Sequence, residues 1–178
     1  MATYVAFLRA INLGARRKFA KEAIAAAAEG AGFTGVATHI NTGNVRLESD
    51  LASRTVIETA LEDAFRAAAG FEVPTIVFTP AELRDVLAAA EAFGHGGNHY
   101  VSFLKHEPTA EQVATIEARS TAQEVARVDG RAVHLMLGEQ YHTARLTNAV
   151  VERALGPATN RNLTVLRAVV ARWAADDV

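Results

Sequence analysis

The chain has no cysteine, so it can form no disulfide frame, thiolate nucleophile or cysteine-zinc site. Aromatic residues are sparse at 7%, with a single tryptophan, and no apolar run is long enough to cross a bilayer. No secretory leader pattern is present, and the cytoplasm is the expected address. Neither sign of charge dominates. A net charge of -2 and a pI near 6.3 argue against a general nucleic-acid binder, because neutralising phosphates takes a strong positive field. No low-complexity or disordered tract interrupts the sequence.

What the chain does have is 50% hydrophobic residues over a length of 178, enough for one domain or for two small ones sharing a core. In the opening stretch Tyr4, Ala6 and Leu8 point to one side of an extended chain and Val5 and Phe7 to the other. Both sides are apolar, which predicts a strand in the middle of a sheet. The run then stops at Arg9, Asn12 and Gly14, so a buried strand delivers a polar loop.

The segment His99-Tyr100-Val101-Ser102-Phe103-Leu104-Lys105 echoes Thr3-Tyr4-Val5-Ala6-Phe7-Leu8-Arg9, with Tyr, Val, Phe and Leu repeated and a basic residue closing each. The echo continues in Val36-Ala37 with Val125-Ala126, and in Val45-Arg46-Leu47 with Val133-His134-Leu135. Two structurally similar halves are predicted.

Within the first half, Lys18 to Ala31 reads as an alanine-rich helix stopped by Gly30 and Gly32. Val36 to Ile40 and Val45 to Leu47 read as strands around Asn41-Thr42-Gly43-Asn44, whose glycine and asparagines suit the positive φ of a tight hairpin. Ile57, Leu61, Ala64, Phe65 and Ala68 stripe a second helix with Asp50 or Ser53 as its cap, and Thr75 to Phe78 is a strand. Thr79-Pro80-Ala81-Glu82 is a capping box with proline at the first helical position.

The glycine-dense Gly94 to Asn98 then reads as the connection, giving halves at 1–93 and 98–178. The second half adds a strand at Tyr100, a helix from Thr109 with Gln112 completing a capping box, and a hairpin turning at Asp129-Gly130. Helices at Thr147 to Leu155 and Leu163 to Trp173 end it.

The residues Tyr4 to Gly14, Gly32-Phe33, Ile40 to Val45 and Ala158-Thr159-Asn160-Arg161-Asn162 together resemble the signature of the domain-of-unknown-function family numbered 1697. That resemblance implies a small bacterial protein without assigned biochemistry, folded as two ferredoxin-like α+β subdomains in tandem with antiparallel sheets and helices on one face. Ala10 and Ala15 stand where that family usually has glycine, and Leu163 where it usually has tryptophan.

Candidate ligand-binding residues follow from chemistry and position. Arg16, Arg17, Lys18 and Lys21 crowd the predicted start of the first helix, where the dipole is already positive. An anion held by backbone N–H groups with Arg9 or Arg16 would make that arrangement favourable, and a solvated basic surface is the bland counterpart. Asn12, Asn41 and Asn44 lie at strand ends where amides can bond a ligand or satisfy turn backbone, and Gly14 leaves bare backbone beside them. Arg161 can reach a carboxylate or phosphate, while Asn162 suits a helix cap.

His95, His99 and His106 lack acidic partners at ligand spacing, so no metal is assigned, and His134 and His142 read as exposed or packed. A base-stacking sheet is disfavoured, since Tyr4 and Phe7 lie on opposite faces and Val45 to Glu48 offers no aromatic. No cofactor motif and no catalytic residue is identified, and whether the chain is an enzyme stays open. The first reading is a protein that binds a small anionic or phosphorylated ligand. The competing one is a protein-interaction or homo-oligomerisation module, and the third an enzyme acting on a nucleotide or phosphorylated substrate.

Overall fold

The computed structural model describes residues 1–175. The chain forms two compact units, one comprising Met1–Leu83 with residues 172–175, the other Arg84–Ala171.

In the first unit β1 (Ala2–Leu8), α1 (Lys21–Gly30), β2 (Thr34–His39), β3 (Asn44–Ser49), α2 (Arg54–Ala69) and β4 (Thr75–Phe78) follow one another. The strands pair in the order β2-β3-β1-β4, antiparallel throughout. β1 is central, as its two apolar faces require. Tyr4, Ala6 and Leu8 pack with Ile24 and Ala28 of α1 and with Ile57, Leu61 and Phe65 of α2. On the opposite face Val5 and Phe7 are also buried, and Phe7 meets Phe78 edge-on at 6.2 Å between ring centroids. Each large side chain so buried contributes roughly 1.5–3 kcal/mol.

α2 is capped by Ser53, whose hydroxyl accepts the Val56 N–H. Asp50 is instead ion-paired with the Met1 ammonium. α2 also serves the edge of the sheet: Glu58 and Glu62 accept the N–H groups of Val77 and Thr75 at 3.0 and 2.9 Å.

α3 (Pro80–Phe93) opens on the expected capping box, with Thr79 and Glu82 each accepting the other's backbone N–H. The second sheet is built from β5 (Asn98–Leu104), β6 (Glu124–Asp129), β7 (Ala132–Leu137) and β8 (Ala158–Asn162), in the order β6-β7-β5-β8. α4 (Ala110–Glu117) follows β5 and starts at the Thr109–Gln112 capping box. α5 (Asn148–Leu155), capped by Thr147, precedes β8, and α6 (Leu163–Trp173) follows it. Both sheets are βαββαβ with the same strand order, so the protein is α+β with tandem ferredoxin-like halves.

The echo read from the sequence is a register equivalence: Tyr4 opposes Leu47 as Tyr100 opposes Leu135, and Val5 opposes Arg46 as Val101 opposes His134. One part of it is out by a residue. β2 carries a bulge, with Thr34 opposite Glu48 but Ala37 opposite Arg46, whereas β6 pairs with β7 without interruption and sets Arg127 opposite His134. Ala37 therefore corresponds to Arg127, and not to Ala126. Gly35 supplies the bulge at φ 56°, and a Cβ there would fall 2.5 Å from Arg46 Nη1.

Other expectations also shift. α1 begins at Lys21 and not Lys18, because Asn12 holds the Phe19 backbone in a loop and Phe19 enters the core from there. At the first hairpin the positive φ values belong to Ile40 and Gly43, not to the asparagines. β8 is a strand that the polar run Ala158–Asn162 does not advertise.

Candidate functional site

Between β1 and α1 the backbone makes an unusual series of turns. Ala10, Asn12 and Arg17 have φ of 56°, 52° and 52°, and Gly14 has 60°. Ile40, at the neighbouring hairpin, has 52°, and these four non-glycine residues are the left-handed ones among the described residues. Such backbone costs a β-branched residue most, and it persists only where surrounding contacts over-determine it.

Those contacts are present. Asn12 Nδ2 donates to the carbonyls of Phe19 at 3.0 Å and Asn41 at 2.7 Å, while its Oδ1 accepts the Phe19 N–H at 2.9 Å. Arg17 donates to the carbonyls of Ala10 and Glu72 and lies over the Phe71 ring, 4.4 Å from its centroid. Loop and hairpin are thereby tied together. Gly43 has no room for a side chain, since a Cβ would sit 2.6 Å from that of Leu8.

The candidate residues divide accordingly. Asn12 and Asn41 come together, but through the side chain of one and the carbonyl of the other. Asn44 is buried, with Nδ2 donating to His39 O and Thr42 Oγ1. Arg9 is half-buried and its N–H donates to Pro74 O. Gly14 and Arg16 are exposed at the loop tip, where Arg16 N–H closes a turn on Leu13 O. Lys18 and Lys21 are exposed beside them, and Ala20, at the N-cap of α1, offers no side-chain cap.

Arg161 is buried in β8, its Nη1 donating to Thr159 Oγ1 and Asn160 O, and burial lowers its pKa to about 10. Asn162 caps α6, its Oδ1 accepting the Val165 N–H at 2.9 Å.

A second polar region lies wholly within the second unit. A cleft of about 520 Å³ is lined by His95 to Tyr100, from the connection and the start of β5, by Tyr141, and by the start of α6 with Arg167. In its wall His99 Nε2 lies 3.0 Å from His134 Nδ1, and both rings are buried, at 4% and 0% exposure. Burial holds each pKa down at about 4; for His99 the neighbouring His134, His95 and Arg167 lower it further, while Glu91 pulls the other way. His95 lies beside His99, its Nε2 2.9 Å from Leu137 O, and Phe93 packs against both buried rings.

His95, His99 and His106 do not come together: His106 is exposed elsewhere, and His134 is the ring that meets His99. The role of His134 was not anticipated, although the strand echo contained the signal: setting Val101 opposite His134 puts His99 on the same face. No group of three or more metal-ligating side chains occurs among the described residues, nor does any helix long and apolar enough to cross a membrane.

In solved structures the chain resembles "conserved bacterial protein SP0830 from Streptococcus pneumoniae", with a TM-score of 0.74 and 20% identity over 95% of this chain and 97% of that one. That likeness is one of fold. No curated protein matches the chain. Residues 1–134 match the family described as "Protein of unknown function (DUF1697)", and they contain the strained loop, the hairpin and the histidine pair. The chain belongs to the DUF1697 family.

Proposed function

We propose that this protein binds a small anionic ligand at its first loop, where α1 begins. The observation that carries this reading is the positive end of α1, which has no side-chain cap and lies among the exposed cations Arg16, Lys18 and Lys21. Cations at a helix N-terminus are unfavourable by a few tenths of a kcal/mol each, and an anion there reverses the sign. The loop is ordered in advance by Asn12 and Arg17, so a ligand need not bear the cost of ordering it.

The test is a thermal-shift screen with nucleotides, sugar phosphates and small carboxylates, repeated on Arg16→Ala. A ligand at about 100 times its Kd adds about 2.7 kcal/mol of stability. Arg16 is exposed, so the variant should melt like the parent without ligand and lose the shift with it. Absence of any shift across the three ligand classes overturns the reading.

A second reading, contact with an acidic protein surface or with another copy of the chain, draws on the exposure of Leu13 and Ile40, 56% and 42% at the same loop and hairpin. Sedimentation of the parent and of Leu13→Ser separates it from the first, because only an interaction surface loses self-association on that change.

A further inference from the structure

The cleft of the second unit has no part in the loop reading. From its lining we infer that it is a separate oxyanion site, taking a small metabolite whose carboxylate or phosphate meets the first turn of α6, Arg167 and His99. Arg167 is the one fully charged side chain in the lining, which includes no carboxylate. Beside it α6, 11 residues long, turns its positive end to the cleft, with Thr164 supplying a hydroxyl in that first turn. The volume of about 520 Å³ suits a metabolite better than a bare ion, since small-molecule sites span roughly 300–1,000 Å³.

The observation independent of the helix is His99. It lines the cleft, is 4% exposed, and commits Nε2 to His134 while Nδ1 has no protein partner. A buried polar atom without a partner is costly, so a ligand group bonded to it gains more than the same bond would in water. Two neutral rings sharing one proton across the 3.0 Å contact leave one outer nitrogen as donor and the other as acceptor. An anion selects the arrangement with the donor at His99 Nδ1 and the acceptor at His134 Nε2.

His134 from β7, His95 from the connection, Glu91 from α3 and Arg167 from α6 are the charged or titratable groups around His99. An added anion favours the imidazolium, so binding takes up a proton and tightens as pH falls. Glu91 already holds Arg167 through bonds of 2.7 and 3.0 Å, and it competes with an incoming oxyanion for the guanidinium.

The experiment titrates the full chain with inorganic phosphate and, separately, with acetate, following the amides of Gly96, Gly97 and Thr164 and the His99 ring nitrogens by NMR. Saturable shifts are expected, and the tighter probe names the class. Glu91→Gln should tighten binding and Arg167→Gln weaken it, each by about tenfold. Both side chains are about half exposed, so neither change threatens the fold. Acetate should bind more tightly near pH 6 than near pH 7.5, as proton uptake requires.

Arg16→Ala should leave these shifts unchanged, which separates this site from the first loop. The inference is overturned if no saturable shift appears below about 50 mM. It is overturned equally if Glu91→Gln and Arg167→Gln bind alike, or if Arg16→Ala abolishes the shifts.

Discussion

Ala10 sits at φ 56°, where a Cβ costs about 1–2 kcal/mol. Ala10→Gly should raise stability by about 0.5–1 kcal/mol after the extra freedom of glycine in the unfolded chain is deducted. Urea unfolding checks this, with the midpoint rising at constant slope. Ala15 lies outside the left-handed region, so the same exchange there brings no such gain. Sequence could place the polar loop because an apolar run ends at Arg9. It could not show that Asn12 is a clamp, since the partners of Asn12 lie 7 and 29 residues away and meet it only once the sheet has formed.

At the scale of elements, helix starts were readable because a capping box is complete within four residues, as at Thr79–Glu82 and Thr109–Gln112. The edge strand β8 was not. The outward N–H groups of β4 are taken by Glu58 and Glu62, those of β6 at Ala126 and Val128 by Ser120 and Glu117, and that of Ala158 in β8 by Glu152. A strand closed by polar side chains from a helix needs no apolar signature of its own, which is why Ala158–Asn162 gives no strand signal. These bonds also blunt the edges against pairing with another chain. Glu58 is 2% exposed, so Glu58→Ala leaves the Val77 N–H buried without an acceptor and should cost about 1–3 kcal/mol in chemical unfolding.

For the whole molecule, acid should weaken the fold through His99 and His134. Both have native pKa values near 4 against 6.5 unfolded, so the unfolded chain binds more protons between those values. Their contribution is fully present above pH 6.5 and is lost as pH falls towards 4, each tenfold difference in proton affinity being worth about 1.4 kcal/mol. Unfolding free energies measured from pH 7.5 to 4.5 should show this slope, and His134→Gln, which cannot titrate, should make it shallower. The duplication was legible because inward side chains in central strands repeat, while the extra residue in β2 was not, since it adds no apolar residue to the pattern.

That bulge limits exchange of parts between the halves. A chimera carrying β6 in place of β2 keeps its side chains on the correct faces only if Arg127 is grafted at the position of Ala37 and the residue supplied by Gly35 is omitted. Joined one position away, every side chain of the transplant turns to the opposite side of the sheet, putting Arg127 where Val36 packs against the core.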